Sequence, residues 1–154
     1  MYTVLVVVHS WLRWAVLLAG LIVVARVLTG RSSGRAWAPR DSSAGRLYGI
    51  LFDVQFLIGL VLYLFASPIV AAARQQMAAS MANDATRFWL VEHPAGMIVA
   101  LALAHVGRSR VRKAQTDRSR FTRALVFYGL SLLIAILANP WPGMPYGRSL
   151  FHLP

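Results

Sequence analysis

Four apolar runs of about twenty residues alternate with short polar segments that hold nearly all of the charge. Each run is long enough, at about 1.5 Å per helical residue, to cross a hydrocarbon core of about 30 Å. The pattern predicts helices over about 3–28, 47–66, 84–106 and 121–138, followed by a tail over 139–154. Ser67-Pro68 and Asn139-Pro140 end the second and fourth runs, because proline cannot continue a helix, and Asp84 is a candidate N-cap for the third. With 58% hydrophobic residues and a mean hydropathy of +0.58, the chain is too apolar for an ordinary soluble domain of its size. The expectation is a single-domain, all-α integral membrane protein, a four-helix up-down bundle.

A net charge of +11 would suggest a nucleic-acid partner in a soluble protein, but its distribution argues against one. All but one of the sixteen basic residues are arginine. Arg31, Arg35, Arg40 and Arg46 share the first loop, and Arg108, Arg110, Arg112, Lys113, Arg118 and Arg120 the third. The second loop holds only Arg74 and Arg87, and the tail only Arg148. That asymmetry predicts cytoplasmic first and third loops and both termini outside. Anionic lipid headgroups are the natural counter-charge. Trp11, Trp14, Trp89 and Trp141 then fall towards the outer interface, with Tyr2, Tyr63 and Tyr146, where aromatic side chains are common. The first run lacks a basic leader and is about twice a signal-peptide core, so it reads as a retained span. Segment 67–83 has high helix propensity and is expected to lie on the outer surface as an amphipathic helix.

Cysteine is absent, which excludes disulfides, thiolate metal sites and c-type haem attachment. No Gly-rich phosphate loop or His-Glu-x-x-His run is present, and no serine stands in a hydrolase motif. The informative residues are the ionisable ones inside the apolar runs, where each is costly. His9 and Arg13 lie one turn apart on the first helix. His93, preceded by Glu92 and followed by Pro94, enters the membrane from the same side at a similar depth. Two level histidines on different helices are what a buried b-type haem needs, one axial ligand on each face; a zinc or copper site would need further ligands. Arg13 has three candidate partners: Glu92, a haem propionate or a quinone carbonyl. Glu92, Gly96, Ala100 and Ala104 make one face of the third helix small, which suits either a flat macrocycle or close helix packing. Pro94 is expected to disturb the helix at His93. Asp53 and His105 form a second candidate pair, structural or part of a proton path. Gln55 is a further buried polar group, and His152 in the tail reads as ordinary surface.

Several stretches carry a resemblance: His9-Ser10-Trp11-Leu12-Arg13-Trp14, Phe56-Leu57-Ile58-Gly59-Leu60, Arg87-Phe88-Trp89-Leu90-Val91-Glu92-His93, His105-Val106-Gly107-Arg108 and Pro140-Trp141-Pro142. Together the chain resembles a family of small four-helix bacterial membrane proteins commonly labelled cytochrome b-like. It departs from that pattern at Asp53, where a histidine is frequent. The resemblance implies a bacterial inner-membrane protein and raises the haem reading; with the depth of the two histidines, the expectation is one haem b near the outer side, ligated by His9 and His93. It would act as an electron carrier, with quinone as a candidate co-substrate, or as a haem-bearing anchor subunit. The alternative is a haem-free accessory subunit of a larger respiratory complex, in which the buried polar pairs only lock the helices. A proton-linked transporter using Asp53, His105 and Glu92 ranks last, because helix breakers are not paired in two halves. Beyond the bilayer, the candidate partners are a larger redox complex or further copies of the chain.

Overall fold

The computed structural model describes residues 1–151; His152, whose surface role was expected from sequence, lies outside them. The regular secondary structure of the described residues is all helical, with no strand. Helix α1 runs Tyr2–Ser32 and α2 Pro39–Val61, the latter ending in a wider π-helical turn, Leu62–Ala66. Three short helices follow, α3 Pro68–Gln75, α4 Met77–Ala82 and α5 Asp84–Arg87. A second π-helical turn, Phe88–Glu92, leads into α6 His93–Arg112, and α7 spans Asp117–Leu137. Four segments, Tyr2–Ser32, Pro39–Ala66, Asp84–Arg112 and Asp117–Leu137, are long and apolar enough to cross a membrane.

The four long helices form a closed ring of neighbours in the order α1, α2, α6, α7. Tyr48 and Phe52 of α2, Ala100 and Ala104 of α6, and Phe121, Ala124 and Ser131 of α7 are nearly or wholly buried between them. Ser131 donates its single hydroxyl hydrogen to the Ala100 carbonyl at 2.7 Å, so the Tyr48 hydroxyl is the donor to Ser131 Oγ at 2.8 Å. This polar thread ties three helices where no water can compensate a lost partner. The small face of α6 serves close packing: a methyl group on Gly96 would lie 2.6 Å from Ala138 Cβ, and one on Gly107 2.6 Å from Phe127 Cβ.

The helices overrun the expected spans at the arginine-rich ends. α1 continues to Ser32, α2 begins at Pro39, α6 reaches Arg112 and α7 begins at Asp117. Hydropathy marks only the part that needs lipid, whereas arginine and alanine extend a helix readily. The early start of α2 has its own cause. Pro39 fits the first helical position, and the Asp41 carboxylate accepts from the Ala38 amide at 2.9 Å. That carboxylate also bonds Arg26 of α1 at 2.9 Å and Arg35 of the connecting loop at 2.7 Å, and its side chain is fully buried. Hydrogen bonding to Asp41 raises the Arg35 guanidinium above its ordinary value.

The expected surface helix over 67–83 is two helices, because the backbone breaks at Gln76 (φ −126°, ψ 55°). Val70 and Ala73 of α3 pack on Leu90. The disturbance expected from Pro94 is taken up just before it. His93 is itself helical (φ −63°, ψ −54°), and its amide bonds the Phe88 carbonyl five residues back. Proline offers no N–H to the Leu90 carbonyl, which accepts from the Tyr63 hydroxyl at 3.0 Å instead. Pro68 has the same effect on the first π turn, where Arg74 donates to the Tyr63 carbonyl at 2.9 Å.

Candidate functional site

Beneath the short helices and the tail lies a cavity of about 410 Å³ with mostly apolar walls. His9 and Arg13 of α1, Gln55 and Gly59 of α2, His93 of α6, and Asn139 and Arg148 of the tail all line it. The imidazoles of His9 and His93 meet there in a T-shaped arrangement, their centroids 6.5 Å apart and their planes at 76°. Gly59 makes room for His9, since a methyl group there would meet His9 Cε1 at 2.9 Å.

Each ring is anchored through one nitrogen. His93 Nδ1 lies 2.8 Å from the Ala138 carbonyl oxygen, which can only accept, so Nδ1 carries the hydrogen and Nε2 holds the lone pair. His9 Nε2 lies 3.3 Å from the Gln55 amide nitrogen, which also donates to the His9 carbonyl at 3.0 Å. His9 Nδ1 is buried without a partner. Among the described residues, the buried side-chain atoms that lack a hydrogen bond are His9 Nδ1, Arg13 Nε, Gln55 Oε1 and Asn139 Nδ2. All four belong to residues lining this cavity. Buried polar groups are normally satisfied, so their concentration in one chamber points to an occupant that partners them.

One end of the cavity is closed by the tail. Arg13 Nη2 and Trp14 Nε1 both donate to the Leu150 carbonyl, at 2.6 and 3.0 Å. Trp14 also stacks with Phe151, and Phe88 with Tyr146 at 3.6 Å between centroids. Arg148 lies over the Trp89 ring. The aromatic residues expected at the outer interface thus hold the tail across the cavity mouth.

The expected Arg13–Glu92 pair does not form. Glu92 bonds Arg87 at 2.7 Å instead. Glu92 is exposed, at the end of the wide turn Phe88–Glu92 that follows its partner Arg87. Asp53 and His105 do meet, at 2.8 Å, but their side chains are 42% and 46% exposed rather than buried. Phe52 and Ala104 take the inward positions, and the next residue on a helix lies about 100° further round. Gln55 is buried as expected and contacts α1. Asn139 and Arg148 were not apparent from sequence, because nothing local to them shows that the tail folds back over His9 and His93.

The donor set suits a haem better than a bare metal ion. No group of three or more His, Asp or Glu side chains able to hold a metal occurs among the described residues. Two imidazoles from different helices are sufficient for haem iron, whose other ligands come from the porphyrin. Two metal–nitrogen bonds of about 2 Å each, with the nitrogen-to-centroid distance in each ring, add to roughly 6 Å. The observed 6.5 Å separation matches that span. The fit asks one adjustment of Gln55: its amide must turn so that Oε1, unpaired as it stands, accepts from His9 Nε2 and frees the lone pair of Nδ1. Compared with known protein families, curated proteins and solved structures, the chain matches none.

Proposed function

We propose that this chain is an integral protein of a bacterial inner membrane, of the cytochrome b-like four-helix kind, holding one b-type haem between His9 and His93. Its helices cross up and down, with the arginine-rich loops in the cytoplasm and both termini in the periplasm. The observation that carries the reading is the facing pair of imidazoles, 6.5 Å apart in a chamber that also gathers the unsatisfied buried polar atoms.

Bound haem supplies one-electron transfer. The chain's own residues hold and tune it. The Ala138 carbonyl and Gln55 orient the two imidazoles through their outer nitrogens, the usual support for a metal-ligating histidine. Arg13 and Arg148 put positive charge at the outer end of the cavity, where propionate groups would find counter-charge. Val16, Leu17, Phe52 and Met97 form apolar wall that excludes water, and burial of this kind shifts a haem potential. The chain would serve as an electron carrier between quinol and a redox partner, or as a haem-bearing anchor subunit.

A haem-free scaffold subunit is the competing reading, in which ordered water would satisfy the four unpaired atoms. An absorption spectrum of the purified protein separates the two. A Soret band with sharp α and β bands on reduction is expected. A colourless protein that copurifies stoichiometrically with a respiratory complex would establish the scaffold reading instead.

A further inference from the structure

Most of the cavity wall is closed. Every lining residue from α1, α7 and the tail is buried or half-buried. The exposed lining residues are Leu60 of α2, Val91 of the second π turn, and Ala95 and Ile98 of α6. All four are apolar, and all belong to the two sides of the seam between α2 and α6. The cavity therefore opens sideways, through the wall of the bundle. Ile98 is the midpoint of the Asp84–Arg112 span, and Leu60 is as many residues from Arg46 as Ile98 is from Arg112. The opening thus falls within the apolar length of both helices, away from their arginine-rich ends.

The packing explains why the seam gapes there. α2 and α6 are the least closely packed neighbours in the ring. Among the described residues, two hydrogen bonds tie them together with their π turns. The Tyr63 hydroxyl donates to the Leu90 carbonyl at 3.0 Å, and Asp53 meets His105 at 2.8 Å. Tyr63 and Asp53 are about 15 Å apart along α2. Between these ties Gly59 offers no side chain and Ala95 only a methyl group. Gly59 cannot be larger, because His9 occupies the space its Cβ would need.

A slot walled by leucine, valine, alanine and isoleucine admits what is dissolved in the bilayer and bars hydrated solutes. The chamber behind it is not apolar throughout. Arg13 Nε and Asn139 Nδ2 are N–H donors without acceptors, and Arg148 lines the same space. The fitting ligand is an amphiphile, apolar in its body and carrying acceptor oxygens at one edge. A porphyrin with its two carboxyl groups has that chemistry, and the paired imidazoles of His9 and His93 select a porphyrin that holds iron. Entry past the tail would break the bonds of Arg13 and Trp14 to the Leu150 carbonyl and unstack Phe151 from Trp14. Entry between Leu60 and Ile98 breaks no hydrogen bond.

We propose that the cavity is loaded sideways from the bilayer, haem dissolved in lipid entering through the α2–α6 seam between Tyr63 and Asp53. That the ligand is haem rests on the function proposed above; the route rests on the seam.

The test uses the full chain, purified haem-free and placed in phosphatidylcholine vesicles. Mixing with vesicles that carry haemin starts uptake, followed by growth of the Soret band. Ala95→Trp places a large ring at the slot and should slow uptake several-fold. Leu133→Trp, on the exposed face of α7 away from the cavity, should leave the rate unchanged, as should Phe151→Ala, which loosens the tail. Thermal unfolding in detergent shows whether Ala95→Trp folds; if it does not, Ile98→Trp serves instead. Metal-free protoporphyrin IX, followed by its fluorescence, separates route from ligation. Its seam-dependent uptake, with haemin giving no low-spin spectrum, would uphold the route and overturn the haem ligation. Uptake of haemin that ignores both seam variants, or that quickens in Phe151→Ala, would overturn the route and leave the haem ligation standing. Uptake of neither porphyrin would overturn both.

Discussion

His93 Nδ1 donates to the Ala138 carbonyl at 2.8 Å, and that single bond decides which nitrogen His93 shows to the cavity. It spans from the start of α6 to the end of α7, so the spacing of those two helix ends sets the aim of the ring. Gly96, one turn along α6, maintains that spacing, because a methyl group there would lie 2.6 Å from Ala138 Cβ. Gly96→Ala should therefore lower stability by about 1–3 kcal/mol, the usual cost of overpacking. It should also reduce haem content more than a core substitution of equal cost remote from the cavity, such as Gly107→Ala. Thermal unfolding and the haem-to-protein absorbance ratio of the two variants check this.

Gln55 holds His9 from the other side. Gln55→Leu removes the donor to the His9 carbonyl and the partner of His9 Nε2, leaving that buried nitrogen unpaired. Its stability should fall by about 1–3 kcal/mol. Gln55→Glu should keep haem and lower its reduction potential by an amount on the order of tens of millivolts, since a carboxylate accepting from the ligand's second nitrogen makes that ligand more electron-rich. A redox titration followed by absorbance measures the shift.

Asp41 is the buried acceptor for Arg26, Arg35 and the Ala38 amide. Asp41→Ala leaves two guanidinium groups without their carboxylate and the start of α2 without its cap. Both arginines are about one-third exposed, so water recovers part of the loss. The expected cost is about 2–3 kcal/mol, below that of a fully buried broken pair. Thermal unfolding in detergent should show it, with the haem spectrum of the remaining folded fraction unchanged because the cluster is remote from His9.

The long helices were legible because apolar runs and arginine clusters are properties of the sequence alone. The meeting of His9 and His93 was legible for a related reason: equal depth on two helices entering from one side follows from counting residues. Other features depend on events that counting misses. Glu92 gives its carboxylate to Arg87, five residues back across the π turn, rather than to Arg13. Asp53 and His105 met as expected but pointed outwards, because helix rotation about its own axis was set by Phe52 and Ala104. The Asp41 cluster had a readable signal, proline at the first helical position with an aspartate two residues on, but it lay outside the apolar run taken as the helix.

The arginine asymmetry predicts that a reporter fused to the C-terminus is active in the periplasm, and that one placed at Ala114, between α6 and α7, is active in the cytoplasm. Alkaline phosphatase and green fluorescent protein fusions give opposite readouts at the two positions. The reverse pattern would put the cavity on the cytoplasmic side.

The claim that His9 and His93 share one haem is tested most directly by low-temperature EPR of the oxidised protein. Measurements would compare wild type with His9→Ala and His93→Ala. The imidazole planes stand at 76°, so the wild type should give the strongly anisotropic low-spin signal of crossed axial ligands. Each variant should lose it, either to a high-spin signal or to loss of haem. A wild type without haem, or a low-spin signal that survives in either variant, would contradict the assignment.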